Sequence, residues 1–195
     1  MTDLPSPRQF AQIRHGYDPD PRRSLSLKAD AYTDIAWFEA DRQAILAKHW
    51  QWVCHVEKLR TPGDYVTADI AGQPIVITRA GDGLLRAFYN VCKHRAHMLL
   101  TGAGNTSRIM CPYHAWVYRL SGELVRAPET DALEDFDTND ICLDQVKVTE
   151  FAGFVFVNLD PDAAPLQEVA GNLETEIRHW APDIENLTFA RRLTY

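Results

Sequence analysis

Hydrophobic and polar positions change period twice along the chain. From Thr33 or Asp34, either of which can cap a helix, apolar residues recur at near-helical intervals. They run from Ile35-Ala36-Trp37-Phe38 through Ile45-Leu46, which predicts a short amphipathic helix ending around His49. Beyond it the apolar runs shorten to strand length: Trp50, Trp52 and Val53, then Tyr65 to Ile70, Pro74 to Thr78 and Leu84 to Tyr89. Thr61-Pro62-Gly63, Ala71-Gly72-Gln73 and Gly81-Asp82-Gly83 punctuate them as turns. After two short interruptions come Val117 to Leu120, the turn Ser121-Gly122, an acidic loop from Glu129 to Asp140, and strands at Val146 to Thr149 and Phe154 to Asn158. Pro165 to Trp180 then returns to helical period, with Leu166, Val169, Leu173, Ile177 and Trp180 along one face, read as core. Leu187 to Tyr195 has the pattern of a further strand.

Short strands at such intervals predict a β-rich α+β fold, an antiparallel sandwich or barrel flanked by an N-terminal and a C-terminal helix. The expected divisions are an extended arm over residues 1–30, where Asp18-Pro19-Asp20-Pro21 is the densest breaker cluster, a β domain with its leading helix over 31–165, and a helix with the start of a further domain over 166–195. A chain of 195 residues, 46% hydrophobic, can bury a core without disulfide staples. Net charge of −7 argues against a nucleic-acid partner, which demands a basic stripe; Arg22-Arg23 and Arg191-Arg192 are isolated pairs. The longest apolar runs are strand-sized and the N-terminus has no basic region followed by an apolar stretch, so no membrane is expected and the compartment expected is the cytoplasm. There the four cysteines at 54, 92, 111 and 142 stay reduced and are read one at a time.

The two interruptions carry the chemistry. Cys92-Lys93-His94 and Cys111-Pro112-Tyr113-His114 set a Cys and a His one residue apart, then sixteen residues, then a Cys and a His two residues apart. Two soft ligands and two imidazoles suit an iron-sulfur group with thiolates on one iron and neutral imidazoles on the other. Two ferric ions, two sulfides and two thiolates sum to zero, so an electron enters more easily than at an all-cysteine [2Fe-2S] site already near −2. Such centres lie at roughly −150 to +300 mV against about −400 mV for the all-cysteine type. A structural zinc site with two Cys and two His is the competing reading, although zinc modules usually separate paired ligands by two or more residues.

These residues resemble the Rieske [2Fe-2S] family. The resemblance implies a Rieske-type β-sandwich in which Cys92 and Cys111 hold the buried iron and His94 and His114 the iron nearer solvent. Neither loop has the extra Cys of the disulfide-bearing respiratory branch. Phe88-Tyr89-Asn90-Val91-Cys92-Lys93-His94-Arg95 and Cys111-Pro112-Tyr113-His114-Ala115-Trp116-Val117-Tyr118 are similar to the Rieske domain of ring-hydroxylating oxygenase alpha subunits and their demethylating relatives, from about residue 30 onward. By that resemblance a flavin reductase or ferredoxin supplies electrons and a mononuclear Fe(II) sits in a following catalytic domain, in the neighbouring subunit of a homotrimer. The substrate is an aromatic ring or a quaternary amine. The two-histidine, one-carboxylate motif for that iron has not begun by Tyr195; His179 with Asp183 and Glu185 supplies one histidine only and reads as a polar helix end. On this reading the chain alone has no oxygenase activity.

Arg95, His97, Tyr113 and Trp116 stand beside the expected ligands. His97 is read as an exposed or hydrogen-bonded neighbour, and Tyr113 either donates its hydroxyl to a sulfur, raising the potential, or packs. Trp116 and Tyr118 are read as core or interface aromatics, Cys54 and Cys142 as small buried hydrophobes, and His15, His49 and His55 as structural. Where the family commonly has Gly, this chain has Ala96 and Ala115, so ordinary backbone angles are expected there. A freestanding electron carrier is the alternative to an oxygenase component. For either, reduction adds negative charge and raises the pKa of coordinated imidazoles, so the midpoint potential falls as pH rises through the oxidised-state pKa. Protein-film voltammetry across pH checks this; a potential flat with pH counts against imidazole ligation.

Overall fold

In the computed structural model, which describes residues 16–130 and 132–191, the chain divides into two units, Met1–Lys48 and His49–Tyr195. In the first, residues 16–29 form neither helix nor strand, and the first fifteen residues of the expected arm lie outside the described residues. A single turn, α1 (Asp30–Thr33), precedes α2 (Ile35–Asp41). Asp34 is the N-cap, its carboxylate accepting the Ala36 N–H at 2.9 Å, as its residue type allows. The helix keeps α geometry to Asp41 and then widens into a π-type turn over Arg42–Leu46.

In the second unit, seven strands pair antiparallel in the order β1 (Gln51–His55), β10 (Phe154–Asn158), β9 (Gln145–Phe151), β4 (Leu85–Tyr89), β3 (Gln73–Arg79), β2 (Asp64–Ile70) and β5 (Ala103–Asn105). A separate three-stranded sheet joins β6 (Ile109–Met110), β7 (Val117–Tyr118) and β8 (Leu124–Arg126). The large sheet curls into a half-barrel, as expected of a β-rich α+β chain. Two-residue turns close its tightest hairpins: Ala71-Gly72 links β2 to β3 and Ala152-Gly153 links β9 to β10. All four residues have positive φ, as a turn matching strand twist requires.

The run Ile75-Val76-Ile77-Thr78 is buried throughout, because β3 has a core on each face. Ile75 and Ile77 point into the curl with Ala87, Val155 and Val157. Val76 points the other way with Phe88, Tyr118, Leu120 and Leu124, into a core shared by the large and small sheets. Cys92 and Cys111 belong to this second core. Thr78, fully buried, ties the sheets together by donating its hydroxyl to the Leu120 carbonyl at 2.8 Å.

Four expectations are corrected. The continuous helix from Pro165 to Trp180 is two pieces, α3 (Leu166–Val169) and α4 (Leu173–Trp180), because Gly171 takes φ 57° and ends the first. Its apolar face is not core: Val169, Leu173 and Trp180 are exposed, Trp180 by 81%. The strand expected from Leu187 is absent over the described residues 187–191, where the Phe189 N–H instead donates to Glu57 at 2.8 Å; residues 192–195 lie outside the description. Of the two further cysteines, Cys54 is buried and Cys142 is only half-buried. Burial pushes the Cys54 thiol up to about 11, so it stays protonated and inert near neutrality.

Gly122 shows how tightly the shared core is closed. Its φ is +104°, and an added Cβ meets the Phe88 ring at 2.6 Å and the Cys142 sulfur at 2.9 Å. Phe88 is fully buried and has nowhere to move. Gly122→Ala is expected to destabilise the fold by on the order of 3 kcal/mol, read by urea denaturation.

Candidate metal centre

Both cysteine loops are the same chain reversal. The Cys92 N–H donates to the His97 carbonyl at 2.9 Å and the Ala96 N–H returns to the Cys92 carbonyl at 3.0 Å. In the other loop Cys111 donates to the Trp116 carbonyl at 2.8 Å and Ala115 returns to Cys111 at 3.1 Å. To close in this way the fifth residue turns left-handed: Ala96 and Ala115 both have φ 54°. The expectation of ordinary angles there is therefore wrong. The reversal requires the conformation that Gly adopts freely, and alanine adopts it at a cost of about 1–2 kcal/mol. Each reversal seats its cysteine in the core, 3% and 2% exposed, and lifts its histidine toward the surface.

The sulfurs lie near each other and are free thiols. Burial holds the Cys92 thiol above its usual range. The Tyr118 hydroxyl and the His94 backbone N–H oppose this, and the neighbouring Cys111 sulfur adds to it. Tyr118 is fully buried, 3.2 Å from the Cys92 sulfur, and accepts the Lys93 N–H at 3.1 Å. With that N–H on the phenol oxygen, the hydroxyl is free to donate its proton to the sulfur once the thiol is ionised. Burial and the Cys92 hydrogen bond hold the phenol well above its usual value, so it remains a donor. The hydroxyl that reaches a cysteine sulfur is thus that of Tyr118, which the strand pattern marks as a core or interface aromatic. Tyr113 is exposed and stacks on His114 with ring centroids 3.8 Å apart.

The imidazoles of His94 and His114 meet with centroids 4.7 Å apart at 69°. Partial loss of water, then the neighbouring His114 and Arg95, lowers the pKa of His94, favouring the neutral form that binds metal. Trp116 lies parallel to His94 at 4.8 Å. His97 is exposed, its Nδ1 within 2.6 Å of the Met98 carbonyl. Arg95 and Lys93 border an open cleft of about 660 Å³ beside the imidazoles, closed opposite by Pro128, Leu133 and Phe136. Sequence reasoning also passed over Asn90. Buried, it donates to the Leu100 carbonyl at 2.7 Å and accepts the Leu100 N–H at 3.0 Å, fastening the far end of the first loop to β4.

Among the described residues no three or more His, Cys, Asp or Glu side chains gather to hold one ion. The donors come as two pairs, buried sulfurs and outward imidazoles. That set suits a two-metal group with unlike ends, because a cation beside two buried thiols supplies the charge that makes them thiolates. At the C-terminal end, Arg178 engages Glu174 at 2.9 Å and also Glu185, and His55 meets the Ile184 carbonyl at 2.8 Å, a structural role. Among the described residues no helix is long and apolar enough to cross a membrane.

Residues 49–137 match the Rieske [2Fe-2S] domain. The chain is 39% identical over 176 residues to the carnitine monooxygenase oxygenase subunit of Escherichia coli (strain K12), covering 90% of this chain and 47% of that protein. It is 32% identical over 157 residues to the chloroplastic choline monooxygenase of Beta vulgaris, covering 80% and 35%. Among solved structures, a quaternary ammonium Rieske monooxygenase, described for carnitine oxidation and inter-subunit electron transfer, superposes with a TM-score of 0.80 at 41% identity, covering 84% of this chain and 45% of that one. The chain thus spans about half the length of the curated carnitine monooxygenase it matches.

The two left-handed alanines are exposed, so trimming either methyl removes strain and little packing. Ala96→Gly and Ala115→Gly are each expected to stabilise the fold by about 0.5–1 kcal/mol, seen as a higher denaturation midpoint.

Proposed function

We propose, for a chain that carries a Rieske [2Fe-2S] domain homologous to the N-terminal part of Rieske oxygenase alpha subunits, that Cys92, His94, Cys111 and His114 hold its cluster. The protein then serves as the oxygenase component of a system that oxidises a quaternary ammonium compound. One observation carries the ligand assignment: two matched reversals bring a pair of buried sulfurs and a pair of outward imidazoles together. Relatives named for carnitine and choline favour the substrate class.

When bound, the cluster supplies a one-electron couple. The chain's own residues tune and expose it. Neutral imidazoles withhold the charge that two further thiolates would add, keeping the potential above the all-cysteine range. Tyr118, donating to the Cys92 sulfur, favours the electron-rich state. His94 and His114 face outward beside the open cleft, where a partner can approach. The proposed donor is a flavin reductase or ferredoxin. The proposed acceptor is a mononuclear iron in a catalytic domain of a neighbouring subunit, within a homotrimer, as inter-subunit transfer in the related enzyme suggests. Residues 1–30 are proposed as an arm, 31–165 as the cluster domain with its leading helix, and 166–195 as the lead into that catalytic domain.

Anaerobically isolated protein is expected to contain about two iron and two sulfide per chain and to give a rhombic electron paramagnetic resonance signal on reduction. His94→Ala and His114→Ala should abolish that signal, and Cys54→Ala should preserve it; an unchanged signal in both histidine variants overturns the assignment. Tyr118→Phe should retain the cluster and lower its potential by on the order of 50 mV. In the holoenzyme, turnover of aromatic acids without turnover of quaternary amines would overturn the substrate class alone.

A further inference from the structure

Ligand imidazoles are usually oriented by a hydrogen bond from their second ring nitrogen, and among the described residues none holds the ring of His94. Its ring makes a different contact. The imidazole lies flat on the indole of Trp116, with centroids 4.8 Å apart and planes within 6°. His94 rises from the first reversal and Trp116 closes the second, so one loop's histidine rests on a side chain of the other.

Trp116 is well placed to act as a fixed platform. It is 6% exposed, within the core that also holds Phe88, Tyr118 and Leu124. Its carbonyl accepts the Cys111 N–H, which locks its backbone into the second reversal. Phe136, from the acidic segment, presents its ring edge to the indole at 5.7 Å and 67°, an arrangement that aromatic quadrupoles favour. His94 itself is exposed and has no comparable packing of its own. His114 is treated differently: Tyr113, over half exposed, lies over it with centroids 3.8 Å apart and planes at 28°, a cover drawn from the surface and not from the core.

We propose that Trp116 is a positioning residue for His94: its buried indole, braced by Phe136, fixes the plane in which the imidazole meets the cluster and couples the two loops. This rests on the ligand assignment above. A packing role alone would need only apolar volume at position 116, whereas a platform needs a flat face, and the two separate by substitution. Trp116→Leu keeps apolar volume and removes the face; Trp116→Phe keeps a face.

The first test uses the metal-free chain. The ring protons of His94, identified by their loss in His94→Gln, should be shifted upfield by the indole ring current in the wild type. They should remain shifted in Trp116→Phe, move partly back in Phe136→Leu and reach ordinary exposed values in Trp116→Leu. In the cluster-bound protein, Trp116→Leu should broaden the electron paramagnetic resonance lines and lose iron to a chelator about two- to tenfold faster, while Trp116→Phe stays near the wild type. Unshifted His94 protons in the wild type, or equal iron loss in Trp116→Leu and wild type, overturn the proposal. If Trp116→Leu does not fold, the wild-type shift and its movement in Phe136→Leu decide the matter, and no movement there overturns it. Wild-type protein without iron and sulfide would instead overturn the ligand assignment and leave the metal-free measurement standing.

Discussion

Everything at the candidate centre depends on keeping two thiols buried side by side. A buried thiolate is costly, and burial already holds the Cys92 thiol above its ordinary range. The protein can place such a pair only where backbone and core leave the sulfurs no alternative position. Cys92 and Cys111 accordingly sit in the same core as Phe88, Tyr118 and Leu120, with both faces of β3 packed behind them.

Backbone strain and buried polar contacts supply the rest of that constraint. Each reversal forces an alanine left-handed, a local cost of about 1–2 kcal/mol that the surrounding hydrogen bonds and packing must outweigh. Asn90 satisfies both hydrogen-bonding groups of Leu100, and Thr78 joins the two sheets through the Leu120 carbonyl. Tyr118 connects core and chemistry most directly, since one buried phenol fills volume, accepts the Lys93 N–H and aims its proton at a sulfur. The same economy holds on the surface side, where the second loop provides the aromatic ring lying against each imidazole.

Strand order, the two-core sheet and the similarity to a quaternary ammonium Rieske monooxygenase place the loops on a scaffold shared with enzymes about twice this chain's length. In this chain the exposed Trp180 and Val169 are what remains of an amphipathic pattern that local periodicity assigns to a core. Periodicity reports that a face is apolar; it does not report what covers it.

Local chemistry was legible before any coordinates. The Cys-x-His and Cys-x-x-His spacings, the Asp34 cap, the strand runs and the glycine-bearing turns each depend on a few consecutive residues, and short-range sterics and ligand preference determine them. Tertiary structure alone decided which tyrosine reaches a sulfur, that Ala96 and Ala115 turn left-handed, that Gly171 splits the last helix, and that Trp116 of one loop underlies His94 of the other. Those outcomes depend on how segments far apart in the chain are brought together, and no pattern within a single segment records that distance.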